Sequence, residues 1–297
     1  MRENKPSTTA QLVTLLRDLL SDPRFGLVED PYANRLLRRD LRALSGAARG
    51  PWMRPVVLAS DRLAAGLVGM LGARTRFFDE RIQATLAAGV TQVVLLGAGY
   101  DARPYRLSAP GARFFEIDHP ATQHDKRSRL GGLPQPNPVT YVSVDFTRDN
   151  LSQKLAEAGH DSTKPSFFLW EGVVMYLNET AIRATLGALR ERGAPGSRLA
   201  FDFTGETLSP VDRAWAKLGA FTFGLFGEPV RFWCDPARWG EILHDEGWSL
   251  REVLDASEIH ARYLRGSGLS VPRPMNFLAY AERSERSEPA NSSPASA

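Results

Sequence analysis

Apolar residues at Leu12, Leu15, Leu16, Leu19 and Leu20 recur at helical spacing and predict a helix over Thr8–Leu20. Asp30-Pro31 opens a second, with Asp30 as N-cap, Pro31 at the first helical position, and Leu36, Leu37, Leu41 and Leu44 as its apolar face. Residues 46–51 interrupt it, and two more helices are expected over 55–70 and 77–88, so that residues 1–88 read as helical throughout. The pattern changes at Gly89. Short apolar runs follow at 92–97, 112–118, 139–145, 166–171 and 198–203, too brief for helices and without polar alternation, as in buried parallel strands. Helical spacing fills the gaps at 102–107, 120–130, 149–158 and 179–192. This alternation predicts an α/β fold, an open parallel sheet with helices on both faces.

The alternation stops after the fifth run. Residues 205–240 are rich in aromatics (Phe221, Phe223, Phe226, Phe232, Trp233) and read as an insertion over the sheet. A helix at 236–246 and strands at 249–254 and 276–281 follow, the last two able to close the sheet as a hairpin. The Ser/Glu/Pro/Ala-rich end, 283–297, reads as a disordered tail. The chain therefore divides into a helical extension (1–88), a core (89–282) carrying the 205–240 insertion, and a tail, with no internal repeat.

Composition narrows the partners. Of 297 residues, 43% are hydrophobic, ample for a large core. The net charge of +3 comes without a dense basic run. Arg35, Arg38, Arg39 and Arg42 are broken by Leu36, Leu37, Asp40 and Leu41, and form a solvated helix face rather than a nucleic-acid surface. The single cysteine, Cys234, excludes an intramolecular disulfide and a cysteine-rich metal site, and no metal is expected. Its aromatic neighbours mark it as a buried filler, not the nucleophile that methylation of pyrimidine carbon 5 requires. There is no signal-peptide pattern, and the most apolar stretch, 56–71, is broken by Asp61 and Arg62. A cytoplasmic protein with a small-molecule partner, binding neither nucleic acid nor membrane, is the expectation.

Ligands of an open parallel sheet bind beyond the carboxyl ends of its strands. Gly97-Ala98-Gly99-Tyr100-Asp101 lies there, with Asp118, Asp145-Phe146 and Glu171-Gly172 after the next three strands. The glycines allow a tight turn and close approach of the backbone to a ligand. Asp118, about 20 residues beyond the glycine loop, is spaced to accept from a ribose diol. Asp145 can accept from the exocyclic amine of adenine, and Glu171 can face positive charge. Any one of these acids serves equally well as a helix cap; the ordered set points to a nucleoside ligand. Ala102 at the third glycine position satisfies the dinucleotide fingerprint, but Asp101 at the helix start would repel a pyrophosphate. S-adenosylmethionine (SAM) carries a sulfonium and an ammonium beside one carboxylate, and acidic surroundings suit it. Arg74 or Arg76 can supply the cation for that carboxylate, and spacing leaves both open.

The strings Arg74-Thr75-Arg76-Phe77-Phe78-Asp79, Val94-Leu95-Leu96-Gly97-Ala98-Gly99-Tyr100-Asp101-Ala102-Arg103, Phe115-Glu116-Ile117-Asp118-His119-Pro120 and Trp170-Glu171-Gly172-Val173-Val174-Met175-Tyr176-Leu177 resemble, in order, those of the leucine carboxyl methyltransferase family. That family includes phosphatase-methylating enzymes and carboxyl methyltransferases of aromatic polyketide pathways. The resemblance runs from Asp30 to Ala281. It implies a Rossmann-like class I SAM-dependent methyltransferase sheet with an N-terminal helical extension and a lid. It also implies that Arg74 pairs with the SAM carboxylate and that Gly97, with Gly99 in the same loop, meets the amino-acid moiety. Asp118 would bind the ribose, Asp145 with Phe146 the adenine, and Glu171 the ammonium, with Tyr176 near the transfer site. The loop after Pro120 is shorter than in the phosphatase-methylating members, which favours a small-molecule acceptor.

A carboxylate acceptor is ionised at neutral pH and needs no general base, whereas a phenol, with a pKa of ~10, does. His119 is the candidate base for that case; His124, His160, His244 and His260 are scattered, and no Asn/Asp-Pro-Pro-Tyr motif for amine methylation occurs. The reading is a SAM-dependent O-methyltransferase acting on the carboxylate of a small molecule such as a polyketide, in secondary metabolism. The aromatic insertion and N-terminal helices would form its lid, and Arg231 would hold the acceptor carboxylate. A hydroxyl or phenol acceptor, a non-catalytic SAM-binding protein and an NAD-dependent oxidoreductase on the same sheet are the alternatives. The oligomeric state is not specified.

Overall fold

In the computed structural model, which describes residues 7–50, 52–145, 149–206, 209–214 and 230–284, the strands are β1 (Gln92–Leu96), β2 (Arg113–Asp118), β3 (Val139–Ser143), β4 (Ser166–Trp170), β5 (Arg198–Thr204), β6 (Trp248–Leu254) and β7 (Asn276–Arg283). They form one sheet in the order β3-β2-β1-β4-β5-β7-β6. The first five are mutually parallel, while β7 runs antiparallel to both β5 and β6. Every residue of β1 and β4 is buried, because both faces of these central strands are covered, and continuous apolar runs result. Val93, Leu95, Phe167 and Leu169 face one apolar layer with Phe77, Phe78 and Ile82. Val94, Leu96, Phe168 and Trp170 face the other, with Leu186, Trp239 and Trp248.

The chain moves outward from β1 through β2 to β3, then returns to place β4 on the other side of β1. This reversal opens a crevice at the carboxyl ends of β1 and β4, where the connecting loops diverge. The late strands pair as a hairpin would, but β7 is inserted between β5 and β6, and residues 255–275 separate them.

The N-terminal region is helical with boundaries that differ from those expected. Helix α1 spans Thr8–Leu20. The second helix is split into α2 (Ala33–Leu36) and α3 (Arg39–Ala47), with Leu37 and Arg38 extended between them. Gln11 of α1 compensates for the lost helical hydrogen bonds: its Nε2 donates to the Leu36 carbonyl at 3.0 Å and its Oε1 accepts from the Arg38 N–H at 2.9 Å. Asp30 accepts from the Tyr32 N–H at 3.1 Å, and Tyr32, not Asp30, occupies the N-cap. Leu44 is 55% exposed and lies off the apolar face. Three of the four arginines of this region are tied to the fold from outside. Arg35 and Arg42 donate to backbone carbonyls, and Arg38 pairs with Asp40.

The next break also moves. α4 covers Met53–Leu63, and a single helix, α5, runs from Leu67 to Ala87 straight through the expected gap. Two features place the break at Gly66. Its φ is +80°, in the left-handed region, and a Cβ there would lie 2.6 Å from the Val271 carbonyl oxygen. The buried Asp61 then accepts from Gly69 N–H in the first turn of α5 at 2.9 Å and from Ser270 N–H at 2.7 Å. One carboxylate thus caps α5 and fastens it to the β6–β7 connection. Among the described residues, no single helix is long and apolar enough to cross a membrane.

Gly66→Ala is expected to destabilise the protein by about 2 kcal/mol, from left-handed strain and the clash with Val271. Urea denaturation checks this; an unchanged midpoint would show that the turn adapts without cost.

Candidate functional site

The turn after β1 is built for close approach. Gly97 and Ala98 N–H groups both donate to the Ile117 carbonyl of β2, at 2.8 and 3.0 Å, folding the loop back across the sheet end. Gly97 has φ +68°, and a Cβ on it would meet Val173 Cγ2 at 2.3 Å. No other residue type fits there. The Gly99 N–H donates to Asp118 Oδ2 at 2.5 Å, and the His119 N–H donates to Asp118 Oδ1 at 2.6 Å. Asp118, 7% exposed, is therefore fixed against the glycine loop. Burial pushes its carboxyl above the ordinary range despite these two donors.

Beside this loop lies an ion-pair network that joins α5, the loop after β1, the end of β4 and β5. Arg74 Nε donates to Glu171 Oε1 at 3.0 Å and its Nη1 to Asp202 Oδ2 at 2.9 Å. Asp202 Oδ1 accepts from the Gly172 N–H at 2.6 Å. Arg103, with no exposed surface, donates to Glu171 Oε2 at 2.7 Å, Asp101 Oδ2 at 2.5 Å and Asp79 Oδ1 at 2.6 Å. Arg106 closes the far end on Asp79, at 2.5 and 2.8 Å. The carboxylates of Asp79, Asp101, Glu171 and Asp202 thus outnumber the guanidiniums of Arg74, Arg103 and Arg106 by one. Asp118, bonded by backbone N–H groups, adds to this acidic excess.

The network sorts the acids. Burial raises the Glu171 carboxyl, but Arg103 and then Arg74 more than reverse this and hold it below its ordinary value. Asp101 is likewise lowered, burial being outweighed by Arg103 first and Arg17 next. At Asp202 burial wins over Arg74 and the carboxyl is raised.

The residues singled out in the sequence distribute unevenly. Gly97, Gly99, Asp118, Glu171 and Arg74 converge at the carboxyl ends of β1, β2 and β4. Arg76, on the same helix, points elsewhere, pairing with Glu80 at 3.3 Å and lying over the Tyr263 ring. Asp145 is exposed beyond β3, where its N–H donates to Asp149 Oδ2 at 2.8 Å. Phe146 and the lid aromatics Phe221, Phe223 and Phe226 lie outside the described residues. Tyr176 ends a short 3-10 turn, Val174–Tyr176, half-buried and close enough to Arg74 to act on its charge. His119 is the N-cap of α6 (Pro120–Leu130), its Nδ1 accepting from the Ala121 N–H at 3.2 Å. The chain re-enters at Arg231 and Phe232, whose N–H groups donate to the Met175 carbonyl at 2.7 and 3.2 Å. Arg231 therefore stands next to the Tyr176 turn.

Three participants escaped the sequence reading. Asp202 ends up there because β5 lies beside β4; it sits inside the fifth run, so a rule that reads only the residues after each strand misses it. Arg103 stands within a string already singled out. Arg17 of α1 donates to the Tyr100 carbonyl at 2.6 Å and lies 3.6 Å from Asp30, drawing the N-terminal helix over the glycine loop. Nothing in its local sequence signals this. Among the described residues, no group of three or more His, Cys, Asp or Glu side chains is placed to hold a metal ion.

Cys234 is buried, and burial pushes its thiol up to about 12. A thiol held neutral is a poor nucleophile. Labelling with a chromogenic disulfide is expected to be negligible in the native protein and complete in denaturant; rapid native labelling would contradict the burial.

The family model described as leucine carboxyl methyltransferase matches residues 10–190. A relative from Mycobacterium ulcerans (strain Agy99), provisionally named an S-adenosyl-L-methionine-dependent methyltransferase, is 32% identical over 273 residues, covering 89% of this chain and 88% of the relative. One of the same provisional name from Streptomyces coelicolor is 32% identical over 280 residues, covering 91% of this chain and 89% of its own. A crystal structure from Thermobifida fusca, provisionally described as a methyltransferase, shares the fold with a TM-score of 0.57 at 18% identity, over 96% of this chain and 97% of that one. The dinucleotide alternative suggested by the glycine pattern falls with these matches. Similarity of this extent along nearly the whole sequence places the chain in the leucine carboxyl methyltransferase family, as a SAM-dependent methyltransferase.

Proposed function

We propose that the enzyme methylates a carboxylate oxygen of a small organic acid. The observation that carries this choice is the engagement of His119. A neutral imidazole that accepts at Nδ1 bears its proton on Nε2, so it has no free lone pair with which to take a phenol proton. A carboxylate nucleophile makes no such demand, being ionised already.

The site suits the cofactor by charge. When bound, SAM supplies an electrophilic methyl group on a sulfonium, and the molecule carries one net positive charge. The acidic excess of the Arg74–Glu171–Arg103 network complements it. In this reading Asp118 accepts from the ribose hydroxyls, Gly97 brings its backbone against the amino-acid end, Arg74 meets the carboxylate and Glu171 the ammonium. Asp145 and Phe146 serve the adenine. Tyr176 borders the transfer site, and Arg231, exposed and anchored at Met175, holds the acceptor. What remains for the protein is positioning and the exclusion of water, which supply most of the acceleration in such a displacement. The N-terminal helices, brought over the glycine loop by Arg17, cover the site on one side.

Calorimetric titration with S-adenosylhomocysteine checks the cofactor assignments. Asp118→Ala and Arg74→Ala are each expected to cost about 1–3 kcal/mol of binding, and Arg76→Ala close to none; an effect of Arg76 alone would reverse the choice of arginine. Because the Asp118 carboxyl is held above its ordinary range, its ionised form is complete only above that raised value. Affinity is expected to decline as pH falls through it, and Asp118→Ala to remove that decline; a variant that keeps the same pH profile would assign the decline elsewhere.

The acceptor is tested with paired aromatic acids and phenols of matched size. Methyl ester formation with a rate flat through neutral pH is expected. Arg231→Ala should raise the KM for the acid about fivefold, the ~1 kcal/mol of an exposed ion pair. Methylation of the phenols alone, rising with their ionisation, would sink the carboxylate reading.

A further inference from the structure

We propose that Arg103 is the positioning residue of the cofactor's ammonium subsite, acting through Glu171. The inference rests on the assignment of Glu171 to the cofactor ammonium. It arises from an asymmetry between the two arginines that Glu171 holds.

Arg74 is bound to Glu171 Oε1 and Asp202 Oδ2, retains some exposure, and is the cation assigned to the cofactor carboxylate. Once it shares its guanidinium with that carboxylate, its hold on Glu171 weakens. Arg103 is in the opposite position. It has no exposed surface, and its guanidinium is tied to α5 through Asp79 Oδ1 at 2.6 Å and to the glycine loop through Asp101 Oδ2 at 2.5 Å. Its own N–H donates to Asp101 Oδ1 at 2.8 Å. Asp79 is in turn gripped by Arg106 through both oxygens, so it does not release Arg103. Arg103 is thus a fixed post, and its Nη1, 2.7 Å from Glu171 Oε2, is the contact that stays when Arg74 turns to the ligand.

A carboxylate offers about four lone-pair sites, so Glu171 keeps positions free for an ammonium while Arg103 and Arg74 occupy one on each oxygen. The planar fork of arginine is what reaches Asp79, Asp101 and Glu171 together. A lysine ammonium, a compact point charge, cannot span them. Arg103→Lys therefore keeps the charge and removes the geometry.

The experiment compares two ligands in wild type, Arg103→Lys, Glu171→Gln and the double variant. S-adenosylhomocysteine carries the amino-acid end; 5′-methylthioadenosine lacks it. Arg103→Lys is expected to weaken the former about tenfold and the latter less than about twofold. The double variant should bind S-adenosylhomocysteine within about twofold of Glu171→Gln alone, since the two residues act as one unit. Equal weakening of both ligands, or losses that add in the double variant, would overturn the proposal and leave Arg103 a support of the glycine loop. If Glu171→Gln shows no selective loss, the assignment of Glu171 itself fails. A selective loss in Glu171→Gln without one in Arg103→Lys would defeat the Arg103 proposal alone. Should Arg103→Lys not fold, the charge-balanced pair Arg103→Met/Asp101→Asn is read by the same comparison.

Discussion

Glu171 holds the site together. It stands where β4 ends, and its two oxygens carry Arg74 from α5 and Arg103 from the short helix that follows the glycine loop. Those arginines draw in Asp202, Asp101 and Asp79, so one carboxylate links the sheet end, the glycine loop and the longest N-terminal helix. Taking such charges out of water costs several kcal/mol per ion, which only well-placed partners offset, and removal of one partner strands the others. The network retains an excess of negative charge. That imbalance is costly in an empty fold and favourable beside a cation. A contrasting pair joins the neighbouring strand β2 to the helix that follows it: Glu116 and Lys126 are fully buried and charge-matched, with Nζ 2.7 Å from both carboxylate oxygens. Burial pushes the Glu116 carboxyl up to about 7 despite the Lys126 ammonium.

The sheet topology is what sets the glycine loop beside the network. Because β1 and β4 are neighbours whose following loops turn apart, Gly97 and Glu171 face one crevice from two sides. Val173, just after β4, packs directly on Gly97 in the loop after β1. The helical extension completes the enclosure. α1 reaches the glycine loop through Arg17, and α5 contributes Arg74 while its first turn is capped by Asp61, which also holds the β6–β7 connection. Ser270, late in the chain, is thereby tied through Asp61 to the helix that carries Arg74.

The sequence by itself determined the strands, their order of appearance and the strand-end residues. Short apolar runs that alternate with helical stretches suit the strands of a covered parallel sheet, and acids or glycines directly after them fall at its carboxyl edge. Gly97, Gly99, Asp118 and Glu171 were legible for that reason. Membership of the family was legible too, since four motifs occur in order. What only the tertiary structure decided depends on contacts between distant segments. The split at Leu37 is tolerated because Gln11 satisfies its backbone, and the turn at Gly66 exists because Val271 presses on it. Arg74 and Arg76 are equivalent in spacing but two residues apart on a helix, so one faces the crevice and the other the solvent. Asp202 and Arg103 acquire their roles only when β5 and α5 come alongside Glu171. Periodicity records whether a residue is inside or outside; which buried charge meets which is set by the packing of elements that the chain brings together from far apart.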